Sequence, residues 1–162
     1  MIHARTHLGP SGFSLIELLV VVVILGVLAT IVVPQFAGAS AASNQTVFAT
    51  NVREYAKAAE LYRFDTGSYL EDASSGVMPS GFDPYVNAAK WQAPTPIGGV
   101  WDSEFEDLGG VTSAVGVHFD GTGTSRGDLY MAEIDRILDD GDLATGRFRS
   151  FAADRYYLVI AE

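Results

Sequence analysis

Glu17 is the one charged residue between Phe13 and Val33, and an ionisable group in so apolar a stretch is a residue with a task. It lies about one helical turn from Phe13. A lone carboxylate in such surroundings is costly and calls for a partner. A second candidate is the set Asp139, Asp140 and Asp142, three carboxylates around Gly141. Hard oxygen ligands of this kind suit Ca²⁺, although the spacing is not that of an EF-hand loop and further oxygens would have to come from carbonyls or a distant loop. Gly141 as a cap for a helix ending near Asp139 is the simpler reading of the glycine. Carboxylates at a helix C-terminus are nevertheless unfavourable without a counter-charge, which points back to a cation. A third combination, Ser113, His118 and Asp120, has the residue types of a nucleophilic triad. Nothing in the pattern positions the serine as a nucleophile, so no enzymatic activity is expected. Gly121-Thr122-Gly123 lacks the third glycine of a dinucleotide loop and reads as turn chemistry.

The element that must position Gly12, Phe13 and Glu17 is the apolar run itself. Of the 21 residues from Phe13 to Val33, 16 are Leu, Ile, Val or Phe, a sum of roughly −5 to −10 kcal/mol for insertion into a bilayer. Against this Glu17 costs about 3 kcal/mol when deep, the figure for other charged residues, and less near the surface. Insertion wins, and with a turn on either side the helix is long enough to cross. A secretory signal peptide cut at Ala39-Ser40-Ala41 fits poorly, because an h-region is shorter and lacks an internal acid. A plain membrane anchor explains the length but leaves Glu17 without a role.

Beyond Pro34 the chain turns polar and acidic. The totals are 20 Asp and Glu against 10 Lys and Arg, a balance that argues against a nucleic-acid or anionic-membrane partner held by charge. The chain has no cysteine, hence no disulfide and no thiolate metal site. Between Ala37 and Asp65 the residues Phe48, Val52, Tyr55, Ala56, Ala59 and Tyr62 recur at helical spacing, with Arg53, Lys57 and Glu60 on another face. This amphipathic helix continues the apolar one past a bend at Pro34, and its aromatic stripe is core that packs on a sheet. A Gly-, Pro- and Ser-rich stretch, 66–98, reads as a long, partly ordered connection. Strands are predicted at Gly99–Phe105, Val111–Asp120 and Arg155–Ala161, and a helix at Asp128–Asp139, so the fold class is α+β.

Gly12-Phe13-Ser14-Leu15-Ile16-Glu17-Leu18-Leu19-Val20 resembles the cleavage and methylation signature of type IV pilins and type II secretion pseudopilins. The resemblance is specific from Gly12 to Phe36 and looser through the amphipathic helix. It implies that a prepilin peptidase removes the basic leader 1–12 after Gly12 and N-methylates Phe13. Glu17 takes the place of the family's assembly acid, and Pro34 that of its helix bend. The implied architecture is a membrane-spanning and filament-core helix over 13–36, an amphipathic helix over 37–65, a loop region over 66–98 and a β-rich part over 99–162. A small antiparallel sheet would pack on the long helix. The implied partners are other copies of the chain, the peptidase, and an assembly-platform membrane protein with its ATPase. The precursor would cross the inner membrane once with its globular part extracytoplasmic, and would reach the periplasm or cell surface after assembly. Major secretion pseudopilins also hold a C-terminal calcium ion, which bears on Asp139, Asp140 and Asp142; otherwise no cofactor is implied. The alternative is a monomeric, membrane-anchored extracytoplasmic binding module.

Overall fold

A single helix, α1, runs from Leu15 to Thr66 without interruption, through the position of Pro34. The computed structural model describes residues 12–121 and 125–162; the expected leader and the Thr122-Gly123 turn lie outside them, as does the Pro34 side chain. The chain divides into two units, one ending at Ser40 and the other spanning Ala41–Glu162. In the first, Leu15–Val32 is the one helix long and apolar enough to cross a membrane among the described residues, and none of it is buried.

The second unit is built on the amphipathic half of α1. Phe48, Ala49, Val52, Tyr55, Ala56 and Ala59 are buried, while Arg53, Glu54, Lys57 and Glu60 face solvent. That three-to-four spacing gives one apolar stripe, and the stripe finds a sheet. The sheet is antiparallel throughout, with β1 (Val100–Leu108), β2 (Val111–His118), β3 (Phe148–Ala152) and β4 (Arg155–Ala161) in the order β1-β2-β4-β3. Two further helices, α2 (Ala88–Trp91) and α3 (Asp128–Leu138), lie in the connections. At the centre, the Phe48 ring stacks on Trp101 with centroids 5.3 Å apart, and Tyr55 meets the edge of Trp101 at 4.7 Å. Such aromatic pairs contribute about 0.5–1.5 kcal/mol each beyond the area they bury.

Polar contacts fix α3 against this frame. Gln45 Nε2 donates to Glu133 Oε2 (2.7 Å), Arg53 Nη2 donates to the Ile137 and Leu138 carbonyls at the C-terminus of α3, and Tyr156 Oη donates to Asp128 Oδ1 (2.6 Å) in its first turn. The α+β expectation and the strand Arg155–Ala161 are found, while β1 extends to Leu108 and β2 stops at His118. Two features differ from the sequence reading. The 66–98 connection is not merely a loop: it contains α2 and contributes the buried Leu70, Phe82, Trp91 and Ile97 to the core. Strand β3, Phe-Arg-Ser-Phe-Ala, has no β-branched residue and no clean alternation; it is a strand because Phe148 and Arg149 pair with Leu158 and Tyr157 at the sheet edge.

Candidate functional site

Gly12, Phe13 and Ser14 precede the first turn of α1, and Phe13 is 85 % exposed. Ser14 is the N-cap by geometry: its Oγ accepts the Ile16 N–H (3.3 Å), and Glu17 Oε2 reaches back to accept the Ser14 N–H (2.8 Å). This reciprocal capping box satisfies two donors at the helix start and places a negative charge at the positive end of the helix dipole. The Gly12–Phe13 peptide is thereby left outside the helix, in a segment a protease can grip. Glu17 stands alone among exposed Leu, Ile and Val side chains and is engaged by its own Ser14.

The acidic turn is arranged differently from its sequence. Asp142 accepts the Ala144 N–H through Oδ1 (3.0 Å) and serves its own turn. In its place Asp135 joins Asp139 and Asp140, the three presenting ligand oxygens within 4.8 Å of one another. Asp139 Oδ2 accepts the Arg147 N–H, and Asp140 accepts from Asp142 N–H (2.8 Å) and Thr145 Oγ1 (2.9 Å). Asp135 is 0 % exposed, and neither of its carboxylate oxygens has a hydrogen-bond partner among the described residues. Burial, with Asp140 and Asp139 alongside, pushes its pKa up to about 6, while the nearby Gly141 N–H lowers it without bonding in good geometry. Backbone shape makes room for the group. Gly146 has φ +71°, and a Cβ there would stand 2.8 Å from Asp139 Cγ. Asp135 escaped the sequence reading because it sits inside α3, yet it precedes Asp139 by four residues, one turn on the same face.

Residues 10–33 match the family described as the prokaryotic N-terminal methylation motif. The chain carries that motif and is similar to components of type II secretion systems and of a type IV pilus. The type II secretion system core protein G of Pseudomonas aeruginosa is 44% identical over 59 residues, 36% of this chain and 42% of that protein. The type IV wide pilus major component PilA4 of Thermus thermophilus is 34% identical over 65 residues, 40% of this chain and 50% of that one. Core protein G of Aeromonas hydrophila is 37% identical over 86 residues, 53% and 55% of the two chains. The chain spans about half the length of these curated relatives, and no solved structure matches it.

This pilin-like chain also has a polar group on the sheet face away from α1 that sequence reasoning missed. Tyr157 Oη lies 2.8 Å from Asp102 Oδ2 and 3.0 Å from Glu104 Oε1, all three residues being buried. His118 occupies both ring nitrogens here, with Nδ1 at 3.4 Å from Asp102 and Nε2 at 3.4 Å from Asp154, so it is not directed to Ser113. Gly116 makes the arrangement possible. It stands between Asp102 and Tyr157 in the register, and a Cβ there would meet Tyr157 Cα at 2.6 Å. The tyrosine can cross β2 only where that strand has no side chain. The signal in the sequence is Asp-Ser-Glu at period two in β1, which places both acids on one face.

Proposed function

We propose that this chain is a structural filament subunit of the type IV pilus or type II secretion pseudopilus kind. The observation that carries the reading is a wholly exposed apolar helix starting just after Gly12–Phe13, with its single acid in the first turn. A bilayer covers such a surface before assembly, and the corresponding helices of other copies cover it afterwards. Prepilin peptidase cuts after Gly12 and methylates Phe13. The assembly platform and its ATPase then extract the subunit from the inner membrane, with the residues beyond Ser40 extracytoplasmic. The freed amine gives Glu17 a stronger partner than the Ser14 N–H, and pairing between copies selects one axial register. Replacing Glu17 by Leu is the test. A filament subunit carrying it stays in the membrane and fails to polymerise, whereas a monomeric anchored binding module inserts and works as before.

A calcium ion at the acidic turn is the second part of the proposal, and the unpaired buried oxygens of Asp135 favour it. Asp135, Asp139 and Asp140 fit an oxygen-coordinated cation, with carbonyls and water completing the six to eight ligands Ca²⁺ takes. The ion would balance three adjacent carboxylates at the end of α3. Calcium in excess then raises the thermal midpoint of the wild type. Asp135→Asn abolishes that rise and Asp142→Asn leaves it; an equal midpoint with calcium or chelator removes the ion from the account.

A further inference from the structure

The face of the sheet away from α1 holds a proton-counting problem. Tyr157 Oη carries one hydrogen but contacts a carboxylate oxygen on either side, Asp102 Oδ2 and Glu104 Oε1. It donates to one of them. The other contact sets two oxygens against each other with no hydrogen between, unless that carboxyl is itself protonated. The surroundings favour the extra proton. Burial raises both carboxyls above their usual range, the Asp102 charge adds to the rise at Glu104, and Asp72 adds a smaller part at each, while the Tyr157 hydrogen bond, His118 and the Ser103 N–H at Asp102, and Arg155 at Glu104 act in the opposite sense. Tyr157 is itself driven well above the ordinary phenol range by burial and by the two acids, so the phenol keeps its hydrogen. Asp154 sits beyond His118, and Arg149, opposite Tyr157 in the register, is turned to Glu162.

Asp72 belongs to a strap, residues 69–76, that lies along β1, an edge strand of the sheet. Gly76 N–H donates to the Trp101 carbonyl (2.8 Å), Ser103 Oγ donates to the Glu71 carbonyl (3.2 Å), and the Tyr69 ring lies 6.4 Å from that of Phe105. Asp72 to Ser75 and the side chains of Asp102, Glu104, His118 and Arg155 line one cleft of about 350 Å³. Ionising both carboxyls of the triangle sets a third negative charge, Asp72, against two buried ones.

We propose that Asp102, Tyr157 and Glu104 hold two hydrogens among them, and that the second one keeps the 69–76 strap on the edge of β1. As pH rises that proton leaves to solvent, the strap loosens, and the edge ladder of β1 is uncovered. The sign follows from linkage: the closed form binds one more proton than the open form, so closing weakens with rising pH, by at most about tenfold per pH unit for a single proton.

The test is hydrogen exchange at the Gly76 amide of the mature full-length chain in detergent micelles, corrected for intrinsic exchange, between about pH 5 and pH 8. Protection is expected to fall with pH in the wild type. In Glu104→Gln, whose amide supplies the missing hydrogen, it is expected to stay high and flat. A flat wild-type profile overturns the proposal, because a single tyrosine hydrogen then serves two ionised carboxylates. A slope that survives Glu104→Gln but vanishes in His118→Gln also overturns it, by assigning the proton to the imidazole. Carboxyl carbon NMR titration of the wild type gives a reading that needs no variant: neither Asp102 nor Glu104 titrating above the ordinary carboxylate range sinks it.

Discussion

The two halves of α1 solve the same problem in opposite ways. Up to Val32 the helix is apolar on every side and exposed on every side, whereas from Phe48 to Ala59 it is apolar along one stripe and that stripe is buried. A helix that is hydrophobic all round needs an apolar partner from outside its own fold, and an amphipathic one needs a single packed surface. The first half thus finds no apolar partner among the described residues, while the second is covered by the sheet of its own chain. Charge follows the same division. Glu17 is the one charge between Phe13 and Val33, while Arg53, Lys57 and Glu60 line the solvent side of the second half.

The largest effect that would sharpen this contrast is expected at Gly12. Mature protein is expected to begin at Phe13 with a methylated amine, and Gly12→Leu is expected to retain the full leader, because a bulky side chain blocks the peptidase groove. Intact mass and N-terminal peptide analysis check it; a native N-terminus at Met1, or at Ala42, contradicts it. Nothing in the packed unit should change in that variant.

A fragment spanning 41–162 tests the other side. It is expected to be a monomer by light scattering, since it keeps the amphipathic stripe and the whole sheet. Stable oligomers of the fragment would break the division of labour. Within it, Trp101→Ala removes the ring shared by Phe48 and Tyr55 and should cost about 3–5 kcal/mol in a denaturant titration. The same truncation at an apolar position of the first half, Leu19→Ala, should leave the fold of the second unchanged.

Gly116→Ala is expected to cost less, about 1–3 kcal/mol, by driving a methyl into the Tyr157 backbone and ring. It should also loosen the Asp102 and Glu104 contacts, seen as a change in their carboxyl titration. The smallest effect is in pH. Folded-state carboxyl pKa values at Asp102 and Glu104 are raised, chiefly by burial. Their contribution to stability is therefore complete below the ordinary carboxylate pKa of about 4 and is lost as pH rises through the raised values. Asp102→Asn should flatten that decline; a profile as steep as the wild type's would mean that other groups carry it.

The sequence by itself determined the N-terminal region. Composition and spacing are local properties, and local properties survive translation into a helix: the run over Phe13–Val33 reads as a membrane-length segment and Phe48 to Ala59 as a buried stripe, whereas the capping of the first turn by Ser14 and Glu17 came only from the structure. The strand Arg155–Ala161 was legible for the same reason, its β-branched and aromatic residues marking it without reference to any partner. What the sequence left open depends on residues far apart in the chain. Strand β3 exists because β4 offers it an edge, so no periodicity announces it. Asp135 belongs with Asp139 and Asp140 because α3 ends in a turn that folds the acids together, while Asp142 is drawn off by Ala144. Asp102 and Tyr157, 55 positions apart, meet only because Gly116 stands between them on the intervening strand. Propensity and pattern are written residue by residue, but a buried charge acquires its partner only when the sheet brings distant residues into one row.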